Sequence, residues 1–132
     1  EAIVALPLGL AITDGVAVAA LKKAYASVLR KEAEHFLPRR VRAIAIERGF
    51  LVKRIQFNNA KTRWGSCTSE GNLNLNIALM KLPHALIDYV IIHELCHTKH
   101  LNHSAAFWSL VEANCPTFKQ NRQELKQFHP YI

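Results

Sequence analysis

The stretch HELCHTKHLNH (residues 93–103) places four histidines, a glutamate and a cysteine in eleven positions, directly after the apolar run YVII. An imidazole taken out of water needs a hydrogen-bonding or metal partner to offset its lost hydration. A chain that carries so many in one apolar neighbourhood must fold so as to supply that partner. Within the stretch, His93-Glu94-Leu95-Cys96-His97 is an H-E-x-x-H motif. Four residues along an α-helix turn through about 400° and rise about 6 Å, so both imidazoles share one face. From there both reach a single ion at about 2.0–2.1 Å. Glu94 projects about 100° round the helix from His93, beside such an ion rather than onto it. The pattern predicts a metal centre, with Glu94 in reach of a water bound to the ion.

A catalytic zinc site takes three protein ligands and leaves the fourth position open. His100 and His103 compete for the third place. On a straight helix His100 would sit about 10 Å along the axis from His93, too far to share its ion. His103 follows an expected helix break at Leu101–Asn102, from which the chain can fold back, and it is the preferred ligand; His100 is then a supporting or surface residue. Glu112 and Glu124 remain as carboxylate alternatives. The expectation is one Zn2+ per chain.

Hydrophobic periodicity sets the surroundings. A helix is expected over 16–36 with Asp14 as its N-cap and Val18, Leu21, Tyr25, Val28, Leu29 and Phe36 as its apolar stripe. Pro38 is expected in the first turn of a second helix, with Val41, Ile44 and Ala45 inside and Gly49 as the C-terminal stop. FLVKRIQF and NLNLNIAL alternate with period two, KTRWGSC continues as a strand and TSEG reads as a turn, giving a small, mostly antiparallel sheet. After Pro83, residues 85–99 are apolar almost all round, so this helix belongs at the centre. Ser104 should cap a helix over 104–114. Thr117 with Gln120 has capping-box spacing for a last helix to about Phe128. The fold class is α+β, a single domain over 1–132: an N-terminal helical part (1–49), the sheet (50–80), then the metal-binding and C-terminal helices (84–128).

The formal net charge of +7 is uneven: residues 1–63 hold 12 Lys and Arg against 5 Asp and Glu, and residues 64–132 hold 5 of each. The basic first half is a candidate nucleic-acid surface, although no aromatic-interleaved binding motif accompanies it and a solvated basic helix face explains it more simply. Half the residues are hydrophobic, which excludes a disordered polyelectrolyte. Three cysteines without a C-x-x-C pair argue against a disulfide framework and for a reducing, cytoplasmic setting. The apolar opening, EAIVALPLGLAITDGVAVAAL, is interrupted by Pro7, Gly9, Asp14 and Gly15 and reads as core strand or loop rather than a membrane span.

RWGSC (63–67), GNLNLNIAL (71–79), LPHALIDYVIIHELCHTKHLNHSAAFW (82–108) and LVEANCPTFKQ together resemble the YgjP-like zinc metallopeptidases, relatives of the SprT-like and minigluzincin enzymes. The resemblance covers residues 50–125 closely and the preceding helices loosely. It implies a zincin-like fold, zinc on His93, His97 and His103, and Glu94 as catalytic base. A peptide or protein substrate would add as a strand along the sheet edge beside the cleft, with RWGSC and NLNLNIAL as candidate edges and Trp64, Asn74 and Asn76 as candidate substrate contacts. The competing expectation is a nucleic-acid-associated protein with a structural zinc and a basic N-terminal half.

Overall fold

The computed structural model describes residues 15–132; Asp14 and the apolar opening before it lie outside the described residues. In chain order the elements are α1 (Gly15–Arg48), β1 (Arg54–Asn58), β2 (Gly65–Cys67), β3 (Asn72–Asn76), a 3-10 turn (Ile77–Lys81), α2 (His84–Cys96), α3 (Ala105–Asn114) and α4 (Phe118–Leu125).

The two expected N-terminal helices are one. Pro38 lies inside α1, where its missing N–H and its ring cost about 3 kcal/mol. The helix continues because its buried residues keep one phase through the proline: Leu29, Ala33, Leu37 and Val41 follow at four-residue steps, and Ile44 and Ala45 extend the stripe. Each large apolar side chain buried there contributes roughly 1.5–3 kcal/mol, so the stripe outweighs the proline. Val28, assigned to the buried face from sequence, is instead exposed. Arg40 fixes the C-terminal half of α1 to α2 through two charge-assisted bonds to Asp88, Nε to Oδ1 at 2.8 Å and Nη2 to Oδ2 at 2.6 Å. Gly49 ends the helix with φ +77°, the left-handed C-terminal position where glycine has no Cβ penalty.

The sheet is mixed rather than mostly antiparallel, in the order β1-β3-β2. β1 runs parallel to β3, Arg54 opposite Asn72 through Asn58 opposite Asn76, and β2 runs antiparallel to β3. NLNLN is therefore the central strand and not an edge. One buried side chain explains the crossover. Asn76 Nδ2 donates to the carbonyls of Ala60 (2.7 Å) and Arg63 (2.9 Å), and Asn76 N–H donates to the Trp64 carbonyl (2.9 Å). These bonds carry the 59–64 loop round the end of β3, from β1 on one side to β2 on the other. Asn76 Oδ1 also accepts from Ala78 N–H (2.9 Å), which stops the strand and starts the 3-10 turn.

α2 packs against α1, β2, α3 and α4. That enclosure is why its sequence is apolar almost all round: Leu86, Ile87, Ile91 and Leu95 are all buried. Ser104 caps α3 as expected, its hydroxyl accepting from Phe107 N–H at 3.3 Å. The expected capping box at α4 does not form, because Thr117 Oγ1 donates instead to Asn121 Oδ1 at 2.8 Å. Among the described residues no helix is long and apolar enough to cross a membrane.

Because the phase of the buried stripe, and not Pro38, sets the path of α1, Pro38→Ala should raise unfolding stability by about 1–3 kcal/mol. Urea denaturation measures this; a loss of stability would mean that the helix needs the proline.

Candidate metal centre and cleft

α2 carries His93 and Glu94, and His97 is its C-cap. The helix then tightens: the N–H groups of Thr98 and Lys99 bond back only three residues, to the carbonyls of Leu95 (3.0 Å) and Cys96 (3.1 Å), and the Thr98 hydroxyl donates to Leu95 O at 2.7 Å. Residues 100–103 return over the helix end and deliver His103 just ahead of α3. The three rings of His93, His97 and His103 thereby gather, with centroid separations of 5.2, 5.4 and 4.9 Å. One ligand atom from each lies within 4.8 Å of the other two. Tetrahedral ligation at zinc–nitrogen distance asks for about 3.4 Å between donors, so the rings would draw together to hold an ion.

The hydrogen bonds favour ligation. His97 is buried, and its Nδ1–H donates to the His100 carbonyl at 3.0 Å. A carbonyl only accepts, so this contact fixes a proton on Nδ1, and in the neutral ring the lone pair is then on Nε2. His93 Nδ1 stands 3.1 Å from Glu94 Oε2, which sets the same tautomer when the carboxylate is ionised. Partial burial first, and then the neighbouring His93 and His97 rings, hold the His103 imidazole below its ordinary pKa against the opposing pull of Glu94. A neutral ring is the form that ligates metal. Phe107, fully buried on α3, supports all three: it stacks on His97 at 4.5 Å and meets His93 (5.1 Å) and His103 (4.9 Å) edge-on. Trp108 stacks on His103 at 5.8 Å.

Glu94 is buried beside the cluster and is not one of the clustered ligands. It shares a pocket wall with Gly65, Cys67 and the three histidines. Gly65 allows this: a Cβ there would stand 3.2 Å from Glu94 Cγ and 3.1 Å from the Asn74 carbonyl. The glycine of RWGSC therefore lets the edge strand β2 lie directly on the carboxylate. Cys67 follows on the same strand, but burial pushes its thiol up to about 11, with Glu94 adding to the rise, and its Sγ–H donates to the Thr68 carbonyl at 3.4 Å. Burial likewise raises Cys96, in the core, to about 12.

Above the histidines opens a cleft of about 830 Å³, walled by Trp64, Tyr89, Trp108, Arg122, Phe128 and Tyr131, with His93 and His103 also lining it. Burial pushes the Tyr89 phenol up to about 12, so it stays protonated there at neutral pH. Of the residues expected to meet substrate, Trp64 lines this cleft. Asn76 does not: it is fully buried and its amide is committed to the 59–64 loop, so it holds Trp64 in place rather than touching a substrate. Asn74 Oδ1 accepts from Asn58 Nδ2 at 3.0 Å, away from the cleft walls. Glu112 and Glu124 are exposed on α3 and α4 and do not join the ligand cluster. His100 acts through its backbone carbonyl. Gly65, the Phe107 floor and the His100 carbonyl were not identified from sequence. Only the glycine left a signal there, as a glycine inside a strand pattern, which marks close backbone approach.

A small sheet on a central helix, with three clustered histidines at that helix's end and a cleft above them, is the arrangement of a metallopeptidase domain. The chain belongs to the YgjP-like family, whose metallopeptidase-domain model matches residues 7–128. The match reaches further toward the N-terminus than the motif resemblance did. The structure is similar to the crystal structure of the metallopeptidase zymogen of Pyrococcus abyssi abylysin, with a TM-score of 0.58 and 22% identity over 67% of this chain and 90% of that one. At that identity the likeness is one of fold. No curated protein gives a significant match.

The Gly65 contact yields a test. Gly65→Val should displace Glu94 and reduce metal-dependent peptide hydrolysis by on the order of tenfold to a hundredfold, with zinc content unchanged by elemental analysis. Full activity in this variant would show that the close approach is dispensable.

Proposed function

We propose that the chain is a zinc-dependent peptidase in which His93, His97 and His103 hold the ion and Glu94 is the general base. One observation carries this reading: one ligand atom from each of three imidazoles lies within 4.8 Å of the others, with a buried carboxylate beside them and outside the donor set. Three histidines with an adjacent free carboxylate are the donor chemistry of a catalytic site with an open position, whereas structural zinc is closed by a fourth protein ligand. When bound, zinc supplies the polarisation of a carbonyl oxygen and the acidification of water toward a pKa of about 7.

The chain's residues supply the rest. Glu94 accepts the proton of the attacking water on a carboxylate oxygen and returns it to the leaving amine nitrogen. The His97–His100 bond keeps the ring aimed at the ion. β2 is an edge strand whose residues Gly65, Ser66 and Cys67 wall the pocket with Glu94. An extended peptide pairing with that edge would run past the histidines, and backbone pairing of this kind binds with little dependence on side chains. Trp64 then walls the space for a substrate side chain.

Two substitutions separate the roles. Glu94→Gln should keep about one equivalent of zinc and lose about 10²–10⁴ in kcat, while His103→Ala should lose most of the zinc. Elemental analysis alongside hydrolysis of an unfolded protein substrate reads both. Full zinc and activity in His103→Ala would overturn the ligand set, and full activity in Glu94→Gln would overturn the base.

A further inference from the structure

We propose that the cleft selects peptides that present a carboxylate beside the bond to be cleaved, with Arg122 as the principal anchor for that carboxylate; the position of that bond rests on the peptidase reading above. The cleft is cationic. Lys61 from the loop before β2 and Arg122 and Lys126 from the last helix and its end line it, and Arg63 stands on the adjoining wall with Gly65 and Glu94. The sequence separates these residues, two in the strongly basic first half and two in the neutral second half. The fold brings them to one opening.

They arrive without carboxylate partners. The ion pairs among the described residues join Arg40 to Asp88 and Arg48 to Glu47, and Glu94 makes its side-chain contact to His93. None involves Lys61, Arg63, Arg122 or Lys126. The one acidic side chain on these walls is Glu94, which already contacts His93. A carboxylate entering the cleft therefore meets several donors that no carboxylate of the chain occupies. Like charges gathered at one concave site raise the local potential and concentrate anions there.

Arg122 is the best placed of the four. Its guanidinium carbon lies 4.7 Å over the Trp108 ring, and Trp108 stacks on His103. The planar fork is thus held against an aromatic ring that itself packs on the histidine cluster. A guanidinium whose face rests over an aromatic ring can still offer edge N–H donors to a bidentate carboxylate. Trp64, Tyr89 and Tyr131 line the same cleft, and apolar walls strengthen a charge-assisted bond relative to open water. An Asp or Glu side chain and the free end of a peptide chain present the same two oxygens, and either supplies the carboxylate.

Binding tests this without requiring turnover. Fluorescein-labelled peptides that differ only in Glu, Gln or Lys at one position, each with a free and with an amidated C-terminus, are titrated into the zinc-loaded full chain carrying Glu94→Gln and followed by anisotropy. The carboxylate peptides should bind about tenfold more tightly than their Gln or amidated counterparts, and Lys peptides most weakly. The advantage should shrink as salt rises from about 0.05 to about 0.5 M. An advantage carried by internal Glu assigns a side-chain site; one carried by the free end assigns a chain-end site; either supports the proposal. Adding Arg122→Gln should bring the Glu-to-Gln ratio close to one, and Arg122→Lys should leave it intermediate, which separates loss of the fork from loss of the fold. Equal affinity for Glu and Gln peptides with amidated and free ends, or a ratio unchanged by Arg122→Gln, overturns the proposal. Displacement of the peptide by oligothymidylate at lower concentration than by unlabelled Glu peptide also overturns it, in favour of nucleic acid. A wild-type chain that cleaves peptides without acidic preference refutes the inference alone. One that shows the binding preference but cleaves nothing refutes the peptidase reading and leaves the carboxylate site standing.

Discussion

The hydrogen bond from His97 Nδ1 to the His100 carbonyl meets two requirements in one contact. A buried imidazole gains the partner that its removal from water demands, and the chain is committed to turning back over the end of α2. Without that turn the helix would carry His100 onward along its axis, and His103 would not return to His93 and His97. The gathering of the three rings, the proton on His97 Nδ1 and the start of α3 at Ser104 all follow from how this helix ends. The supporting shell is apolar: Phe107 packs under all three rings and Trp108 stacks on His103, which limits how far any ring can rotate.

The remainder of the fold brings a carboxylate and a strand edge to that cluster. Asn76 binds the loop carbonyls on both sides of β3 and so places β2 at the edge of the sheet next to α2. Gly65 removes the one side-chain atom that would keep the strand off Glu94. α1 buries a stripe that continues through Pro38, and the Arg40–Asp88 pair holds it to the exposed side of α2. The helix that bears the site is thus packed on by α1, β2, α3 and α4. A nearly all-apolar sequence broken by His93, Glu94 and His97 is the imprint of that enclosure.

Much of the site was legible because it is local. H-E-x-x-H needs only helical geometry, and the break at Leu101–Asn102 singled out His103 over His100 by distance along an axis. The helices after residue 83 were legible for the same reason. Features that depend on tertiary contacts were not. The parallel pairing of β1 with β3 arises from a crossover pinned by a side chain from another strand, whereas alternation of apolar and polar residues is the same for either direction of pairing. Asn76 has the sequence signature of a polar strand face and turns out to be a buried pin. Pro38 marks a helix start by local propensity, and burial along a constant phase overrode it. The cationic cleft was obscured because its residues come from two distant segments, one strongly basic and one with balanced charge. The family match over residues 7–128 agrees with the motif-level resemblance and extends it.

The central claim is that three imidazoles, and no thiolate, hold one ion with a position left open. X-ray absorption at the zinc edge of the loaded chain tests it most directly. The account predicts nitrogen and oxygen scatterers alone, at about 2.0–2.1 Å, with multiple-scattering intensity for three imidazoles and one further light atom. A sulfur scatterer near about 2.3 Å, which would draw in Cys67, or intensity for fewer than three imidazoles, would contradict it.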